Sequence, residues 1–321
     1  MFAYESLVRH PRAFRSLTGM TPAEFDSLLA AFGTAQQRLR AGQTTTRAGK
    51  TRRRAGGAGR PFRNDDCHRL LMALVWLRVY PTYELLGFYF GLHKRNAQLN
   101  VRATLAVLDT LDDFPFDRPG RDRRPLSTPA QVMDAFPQVR LVIDGKEQRV
   151  HRPGGPYQAQ KPYYSGKKKT HTLKTQIAVG PGGAIESVSA SVPGGATHDV
   201  TLLRQTGLLG RLAEGEGAMM DKGYVGIDKD YPHVPLVIPS KAQRHHPLTE
   251  AQQASNRVVA RYRIVVEHTI AQLNRFTVLR QVYRGRCWRH GTAHSQVVRV
   301  VAGLVNRRVR ACPLKTYAPA A

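Results

Sequence analysis

The sequence predicts an α/β domain preceded by an all-α domain, and three observations carry this prediction. Between residues 65 and 109, apolar residues recur at helical spacing and are interrupted at Pro81 and Gly91. After residue 138, short apolar runs are separated by turn sequences such as Pro181-Gly182-Gly183, a pattern typical of strands and hairpins. A chain of 321 residues is long enough for two ordinary domains.

The composition favours a polyanionic partner. The chain has 49 Lys and Arg against 23 Asp and Glu, a net charge of +26, which suits nucleic acid. No apolar run approaches the roughly 20 residues that a membrane span needs, and no signal-peptide core precedes a cleavage site. The 3 widely spaced cysteines predict reduced thiols. We therefore expect a protein of the cytoplasm, associated with the nucleoid in a bacterium, or of the nucleus in a eukaryote.

The N-terminal segment, residues 1–33, is predicted to hold one short amphipathic helix. A Thr-Pro-Ala-Glu sequence at residues 21–24 is a good helix start, with an N-cap, a first-turn proline and a capping-box acid. Residues 34–64 lack any acid and predict a flexible basic linker. The missing acids favour contact with a DNA backbone over a merely solvated linker. The candidates for this contact are Arg52, Arg53 and Arg54.

Residues 65–112 predict a helix-turn-helix domain. Helices are expected over 67–80, 82–90 and 93–108, and the order of short helix, glycine turn and basic helix is the outline of this motif. A plain helical bundle is the alternative. In a helix-turn-helix, residues near the start of the last helix read the edges of DNA bases. The candidates for DNA contact are Lys94, Arg95, Asn96, Gln98 and Arg102.

A Pro- and Arg-rich segment at 113–138 predicts a second linker, followed by an α/β domain at 139–310. Strands are predicted at 139–143, 172–179, 184–192, 217–220 and 236–238. Helices are predicted at 198–212, 256–279 and 293–310. The order of strand, hairpin, helix, strand, strand and helix resembles the ribonuclease-H-like plan.

Three acidic residues occur in an order that would let them meet at one edge of such a sheet. Asp144 and Asp221 each follow an apolar strand, and Glu267 lies within a helical stretch. Ligands of open α/β sheets lie beyond strand ends, and carboxylate oxygens suit Mg²⁺. Two metal ions held there can clamp both oxygens of an in-line phosphoryl displacement. The sequence therefore predicts Asp144, Asp221 and Glu267 as catalytic metal ligands for two Mg²⁺ ions, with Mn²⁺ as a substitute.

Further residues are candidates for supporting roles. Arg263 precedes Glu267 by one helical turn and would orient the carboxylate or contact a phosphate, unless the two form an exposed ion pair. Asp199 competes with Asp221 for the second catalytic position. Asp221 is preferred because it follows a strand, whereas Thr197 or Asp199 is expected to cap the next helix. Lysines interleaved with tyrosines suit contact with a DNA backbone and its bases. These lysines are Lys167, Lys168 and Lys169.

Taken together, several stretches resemble the DDE-superfamily transposases, specifically the IS5-like and Harbinger-like group. The stretches are Val142-Ile143-Asp144-Gly145, Tyr163-Tyr164-Ser165-Gly166-Lys167-Lys168-Lys169, Pro193-Gly194-Gly195-Ala196-Thr197-His198-Asp199, Met220-Asp221-Lys222-Gly223-Tyr224, and the helix from Val265-Val266-Glu267 to Leu273-Asn274-Arg275-Phe276. The upstream helices resemble the helix-turn-helix of this group.

The resemblance implies a transposase that binds terminal inverted repeats on double-stranded DNA, nicks there by water attack and joins the 3′-OH to target DNA. It implies that Asp144 bridges both metals and that the enzyme works as a homodimer or higher oligomer on DNA. On the helix that carries Glu267, Asn274 stands where some related transposases have a Lys, so Arg275 is the candidate to replace that DNA contact. Two alternatives are a ribonuclease-H-like nuclease without strand transfer and a domesticated helix-turn-helix regulator. The three intact acids argue against the regulator.

Overall fold

The computed structural model describes residues 3–42, 65–111, 136–180, 182–242, 247–285 and 292–311. The chain divides into two compact units. The first comprises Met1–Asp112 with Arg275–Arg280, and the second comprises Asp113–Asn274 with Gln281–Ala321. No helix in the described part is long and apolar enough to cross a membrane.

The helices lie in both units. They are α1 (Tyr4–Val8), α2 (Pro11–Thr18), α3 (Pro22–Ala41), α4 (Asp66–Val79), α5 (Tyr83–Phe90), α6 (Lys94–Leu108), α7 (Tyr157–Gln160), α8 (Asp199–Thr206), α9 (Glu250–Asn274), α10 (Thr277–Arg280) and α11 (Thr292–Ala311). The strands all lie in the second unit. They are β1 (Val139–Arg149), β2 (Tyr164–Ser165), β3 (Thr170–Val179), β4 (Ile185–Val188), β5 (Val192–Pro193), β6 (Gly217–Met219) and β7 (Leu236–Val237).

The N-terminal segment differs from the prediction of one helix and a linker that begins at residue 34. It contains α1, α2 and α3, and α3 continues to Ala41. The capping box at Thr21 and Glu24 is confirmed. The helix continues because its last turns are part of the core. Gln36 is buried, and its side-chain oxygen accepts a 2.6 Å hydrogen bond from the buried Arg69. Residues 43–64, including Arg52, Arg53 and Arg54, lie outside the described residues.

The three helices predicted between residues 65 and 112 are confirmed as α4, α5 and α6. Gly91 ends α5 in the left-handed conformation, at φ 64°. A Cβ on Gly87 would lie 2.4 Å from the Leu92 carbonyl oxygen, so α5 can approach the turn this closely only with glycine there. Helix α6 buries Ala97, Val101 and Leu105. Its exposed side carries Lys94, Arg95, Asn96, Gln98 and Arg102.

The second unit is built on one mixed sheet. Its order is β2-β3-β1-β6-β7, and β4 and β5 also pair with β3. Strand β1 is antiparallel to β3 and parallel to β6, and β6 is parallel to β7. The prediction of a single strand at 184–192 is wrong, because this segment forms two strands, β4 and β5, which pair with different parts of β3.

Three other predicted bounds are wrong. Strand β1 does not end at Ile143 but continues through the Asp-Gly pair to Arg149. The helix predicted at 198–212 is shorter, with α8 ending at Thr206 before a separate 3-10 turn at Leu209–Arg211. The helix predicted at 256–279 instead spans Glu250–Asn274. The residues that follow it, including α10, belong to the first unit, where α10 packs against α4.

The two faces of β1 are covered differently. Leu141 and Ile143 join a buried cluster with Leu203 of α8 and Met220. The alternate residues of β1 point to the other face, on which α9 lies. The outer edge of β4 is closed by a side chain, because Asn306 of α11 accepts a hydrogen bond from the Ile185 N–H and donates one to its carbonyl, both at 2.8 Å.

Candidate active site

Asp144 and Asp221 project from the same face of neighbouring parallel strands. Val142 of β1 is opposite Met219 of β6, and each aspartate lies two residues further along its chain. Residues two apart on extended backbone share a face, and Asp221 is extended, with φ −86° and ψ 179°. The two carboxylates therefore share one face, and Asp221 is near enough to raise the pKa of Asp144. Asp144 lies within its strand, however, and not at the end of it.

Asp144 is held in an environment that disfavours its negative charge. Burial raises the pKa of its carboxyl group, and the nearby Asp221 and Asp199 carboxylates raise it further. The Gly145 N–H, which donates a 2.8 Å hydrogen bond to Asp144 Oδ1, and the Arg263 guanidinium act in the opposite direction. The net pKa shift is upward. Additional positive charge at this position would stabilise the ionised carboxylate.

Helix α9 brings Arg263 to Asp144, with 3.8 Å between Arg263 Nη2 and Asp144 Oδ1. The Arg263 Nε atom is buried and has no hydrogen-bond partner within the described part of the chain. Glu267 lies one helical turn further on, and its side chain is exposed. The alternative of an exposed Arg263–Glu267 ion pair is therefore not what the structure contains, because the ion pair of Arg263 is with Asp144.

Asp199 approaches the same aspartates from the other side. A Cβ on Gly145 would lie 2.7 Å from Asp199 Oδ1, and a Cβ on Gly223 would lie 3.2 Å from Asp199 Oδ2. The helix-cap prediction is wrong. His198 is the N-cap of α8, no side chain caps this helix, and Asp199 is its first residue. Its carboxylate instead forms an ion pair with Lys174, at 3.1 Å.

The segment with tyrosines and lysines packs on the glycines that precede α8. The Gly195 and Ala196 N–H groups donate to the Pro162 carbonyl at 2.9 and 2.8 Å. A Cβ on Gly195 would lie 2.1 Å from the Tyr164 carbonyl oxygen, which explains the need for glycine at this contact. The predicted DNA-binding lysines follow β2 in the turn before β3, and all are exposed. They are Lys167, Lys168 and Lys169.

Several residues at the site were missed by sequence reasoning. The side chain of Lys146 points to the same face of β1 as Asp144. Burial and the positive charge of Lys168 lower the pKa of its amine to about 8. Tyr224 is buried, and burial raises the pKa of its hydroxyl. The spacing of two between Asp144 and Lys146 was the available signal for the lysine. Lys174 had no such signal, because its partner lies on another element. Arg275, the remaining accessory candidate, is exposed just after α9 and belongs to the first unit.

The donor chemistry of the site fits a divalent cation. Two carboxylates share one sheet face, and the pKa of the more buried one is raised, so a hard cation with oxygen ligands would relieve the strain between them. Within the described residues, however, no three His, Cys, Asp or Glu side chains are grouped closely enough to hold a metal. The exposed Glu267 is the acid that would have to complete such a group.

Comparisons with known proteins agree with this architecture. Residues 143–306 match the family described as DDE superfamily endonuclease. The chain is 30% identical over 238 residues to a probable transposase for insertion sequence element IS702 from Microchaete diplosiphon, covering 74% of this chain and 79% of that protein. No solved structure matches the chain. The matched segment begins one residue before Asp144 and includes Asp221, Arg263 and Glu267. The chain therefore belongs to the DDE superfamily, among its transposases.

Proposed function

We propose that this transposase binds the terminal inverted repeats of its element, cleaves DNA there with Mg²⁺ and joins the freed 3′-OH to target DNA. Asp144, Asp221 and Glu267 are the catalytic residues of this proposal. The observation that carries it is the parallel register of β1 and β6, which directs Asp144 and Asp221 to the face covered by α9. An in-line displacement at a phosphodiester needs positive charge near the reacting phosphate, which metal ions held by carboxylates on that face would supply.

The residues of the chain divide the work. Asp144, Asp221 and Glu267 would hold two Mg²⁺ ions, with Mn²⁺ as a substitute. When bound, these ions would supply activated water and neutralise charge at the leaving oxygen. Arg263 orients the Asp144 carboxylate. Its Nε has no hydrogen-bond partner among the described residues and would donate to a phosphate oxygen or to Glu267. Lys167, Lys168 and Lys169 contact the DNA backbone from their exposed turn.

The test of the catalytic assignment is nicking of repeat-end DNA by purified variants. Asp144→Asn, Asp221→Asn and Glu267→Gln should each lose Mg²⁺-dependent cleavage and keep DNA binding and circular dichroism. Glu250→Gln is the matched control, because Glu250 is also exposed on α9 but lies at its other end. Normal nicking by Glu267→Gln would remove Glu267 from the site.

Strand transfer needs a separate assay, because a ribonuclease-H-like nuclease without strand transfer would also nick. Pre-cleaved repeat ends supplied with plasmid DNA should be joined by the wild-type protein and not by Asp144→Asn. Joining two ends to one target requires two active sites, so we expect a dimer or larger assembly on DNA in a sizing experiment. Nicking without any joining would favour the nuclease.

Recognition of the repeats is assigned to α6. Its exposed residues Lys94, Arg95, Asn96, Gln98 and Arg102 follow a close glycine turn, as in a DNA-reading helix. Replacing Lys94 and Arg95 by Ala should erode the preference for repeat over random DNA. Deleting residues 43–64, which include Arg52, Arg53 and Arg54, should instead flatten the salt dependence of binding and spare the preference.

The control for this pair of variants is Arg12 and Arg15 replaced by Ala, since both are exposed on α2 of the same unit. Lost preference in the deletion, with unchanged preference in the Lys94 and Arg95 variant, would contradict the helix-turn-helix assignment. A non-enzymatic regulator would bind repeats in the same experiment but would show no nicking with Mg²⁺.

A further inference from the structure

The contacts of Asp199 distinguish it from the two aspartates on the α9 face. Its two carboxylate oxygens fit over two glycines, Oδ1 against Gly145 and Oδ2 against Gly223. Each glycine belongs to the backbone that carries a catalytic aspartate. Gly145 directly follows Asp144 and donates to its Oδ1, and Gly223 donates a 2.7 Å hydrogen bond to Asp221 Oδ1. Asp199 therefore contacts both segments that orient the catalytic carboxylates.

A buried lysine neutralises Asp199 from the sheet. Lys174 of β3 lies 3.1 Å from Asp199 Oδ1 and donates a 2.8 Å hydrogen bond to the Thr197 carbonyl. It also lies 3.9 Å from Glu147, its cross-strand partner on β1. One ammonium thus joins the start of α8 to strands β1 and β3. Because Glu147 and Gly145 are two residues apart on β1, these contacts lie on the face opposite Asp144.

We propose that Asp199 and Lys174 form a brace behind the active site that fixes the spacing of Asp144 and Asp221, and that Asp199 is a positioning residue and not a metal ligand. This inference rests on the proposed function. The oxygen of Asp199 that faces Gly145 has a cationic partner at 3.1 Å, whereas the cation nearest Asp144 among the described residues, Arg263, is 3.8 Å away. The glycines are required because any side chain at 145 would displace the carboxylate.

The brace predicts coupling between Gly145 and Asp199. Gly145 lies outside the left-handed region, so an alanine there is acceptable to the backbone and conflicts only with Asp199. Gly145→Ala and Asp199→Ala should each slow cleavage by about 10- to 100-fold, the cost of a small misplacement of reacting groups. The double variant should be no slower than Asp199→Ala alone, because the alanine then has room.

Asp199→Asn separates a brace from a ligand. The amide oxygen still accepts from Lys174, so this variant should keep cleavage within about tenfold of wild type. It should also keep Mn²⁺ binding, measured directly by the loss of the free-ion electron paramagnetic resonance signal. Asp221→Asn should lose both. Gly154→Ala is the control, since nothing lies within 4 Å of a Cβ at that glycine.

Two results would overturn the brace. Asp199→Asn could be as inactive as Asp221→Asn with its Mn²⁺ binding lost, which would make Asp199 a ligand. The effects of Gly145→Ala and Asp199→Ala could multiply, which would make Gly145 act independently. The same cycle is measured on the free energy of urea unfolding, where coupling is expected even without activity. If the two substitutions are coupled in the free energy of unfolding but the wild-type protein cleaves no DNA, the proposed function is refuted and the brace is retained.

Discussion

Two polar regions lie on the same face of β1, only a few residues apart, and they are built in opposite ways. Around Asp144, carboxylates crowd together and the pKa of Asp144 is raised. Around Gln148, the side chains form a closed network of neutral hydrogen bonds centred on the buried His294 of α11. The first region leaves neighbouring carboxylates in mutual repulsion, whereas the polar groups of the second region bond to one another.

The network at Gln148 indicates which imidazole nitrogen of His294 donates and which accepts. The Gln148 amide nitrogen donates to the Gln281 carbonyl at 2.9 Å, so its oxygen accepts from His294 Nε2, also at 2.9 Å. Because burial lowers the pKa of His294 to about 3, the imidazole is neutral at pH 7, and Nδ1 accepts from the Ser191 hydroxyl, at 2.7 Å. The Ser191 oxygen in turn accepts from Thr175, at 2.9 Å. With these directions, a neutral imidazole satisfies every hydrogen bond named in the network.

The difference teaches which polar groups serve folding and which serve chemistry. Buried polar groups that satisfy one another stabilise one arrangement of strands and helices. Groups that remain in mutual repulsion cost stability and are retained where a ligand completes them. The comparison therefore predicts that substitutions at the two regions will separate activity from stability.

The largest expected effect is on activity at Asp144. Asp144→Asn should reduce cleavage on the order of 100- to 1,000-fold, because metal binding supplies several kcal/mol and each 1.4 kcal/mol is tenfold. The midpoint of thermal unfolding should stay constant or rise, because a neutral amide replaces a buried carboxylate with a raised pKa. A large fall in this midpoint would show that Asp144 also serves the fold.

At the other region, His294→Ala should destabilise the protein by about 2–3 kcal/mol. The change leaves a cavity and removes the partners of Gln148 and Ser191. The measurement is urea unfolding followed by circular dichroism, with cleavage assayed under conditions where the variant is folded. Cleavage by the folded variant should match wild type. An equal loss of stability and of cleavage would contradict the separation of the two regions.

The network also predicts how stability depends on pH. Burial, assisted by Lys146, lowers the pKa of His294 from 6.5 to about 3. The unfolded chain therefore takes up the proton first, and this stability is lost as pH falls from about 6.5 towards 3. The Tyr283 ring forms a T-shaped contact with the imidazole and carries no charge in this range.

The pH prediction is checked by comparing the free energy of unfolding at pH 7 and pH 5. His294→Gln should flatten its fall relative to wild type. His151→Gln is the control, because His151 is exposed and should leave the slope unchanged. An equal slope in wild type and His294→Gln would mean that the imidazole is not held neutral.

The smallest effect is expected at Thr175, the first donor of the network. Thr175→Val removes one hydrogen bond to Ser191 and should cost about 0.5–1.5 kcal/mol. Ser191→Ala should cost more, because it also removes the donor to His294. The reverse order in urea unfolding would mean that the donors run in the other direction.

Sequence patterns predicted the elements that depend on local chemistry. Gly91 ended α5 as expected, the capping box began α3, and the paired Asp144 and Asp221 followed from the strand order. The predicted end of β1 at Ile143 was wrong, because an Asp-Gly pair locally favours a turn. In the fold, Gly145 is glycine because Asp199 occupies the space of its side chain.

Contacts between distant segments could not be read from local patterns. The ion pair of Lys174 with Asp199 joins a strand to a helix, and the bond of Gln36 to Arg69 extends α3 into a segment that looked like linker. The network of His294 is equally non-local, since its partner Gln148 lies 146 residues earlier in the chain. Such pairs become visible only when the sheet and its helices are assembled.

The amide of Asn306 has a consequence for how copies of this protein can meet. It bonds the backbone N–H and C=O of Ile185 as a neighbouring strand would, so these two groups are not available to another chain. Free backbone groups on a strand edge let the sheets of two copies join. At Ile185, pairing of β4 with a strand of another copy would first have to displace the Asn306 amide.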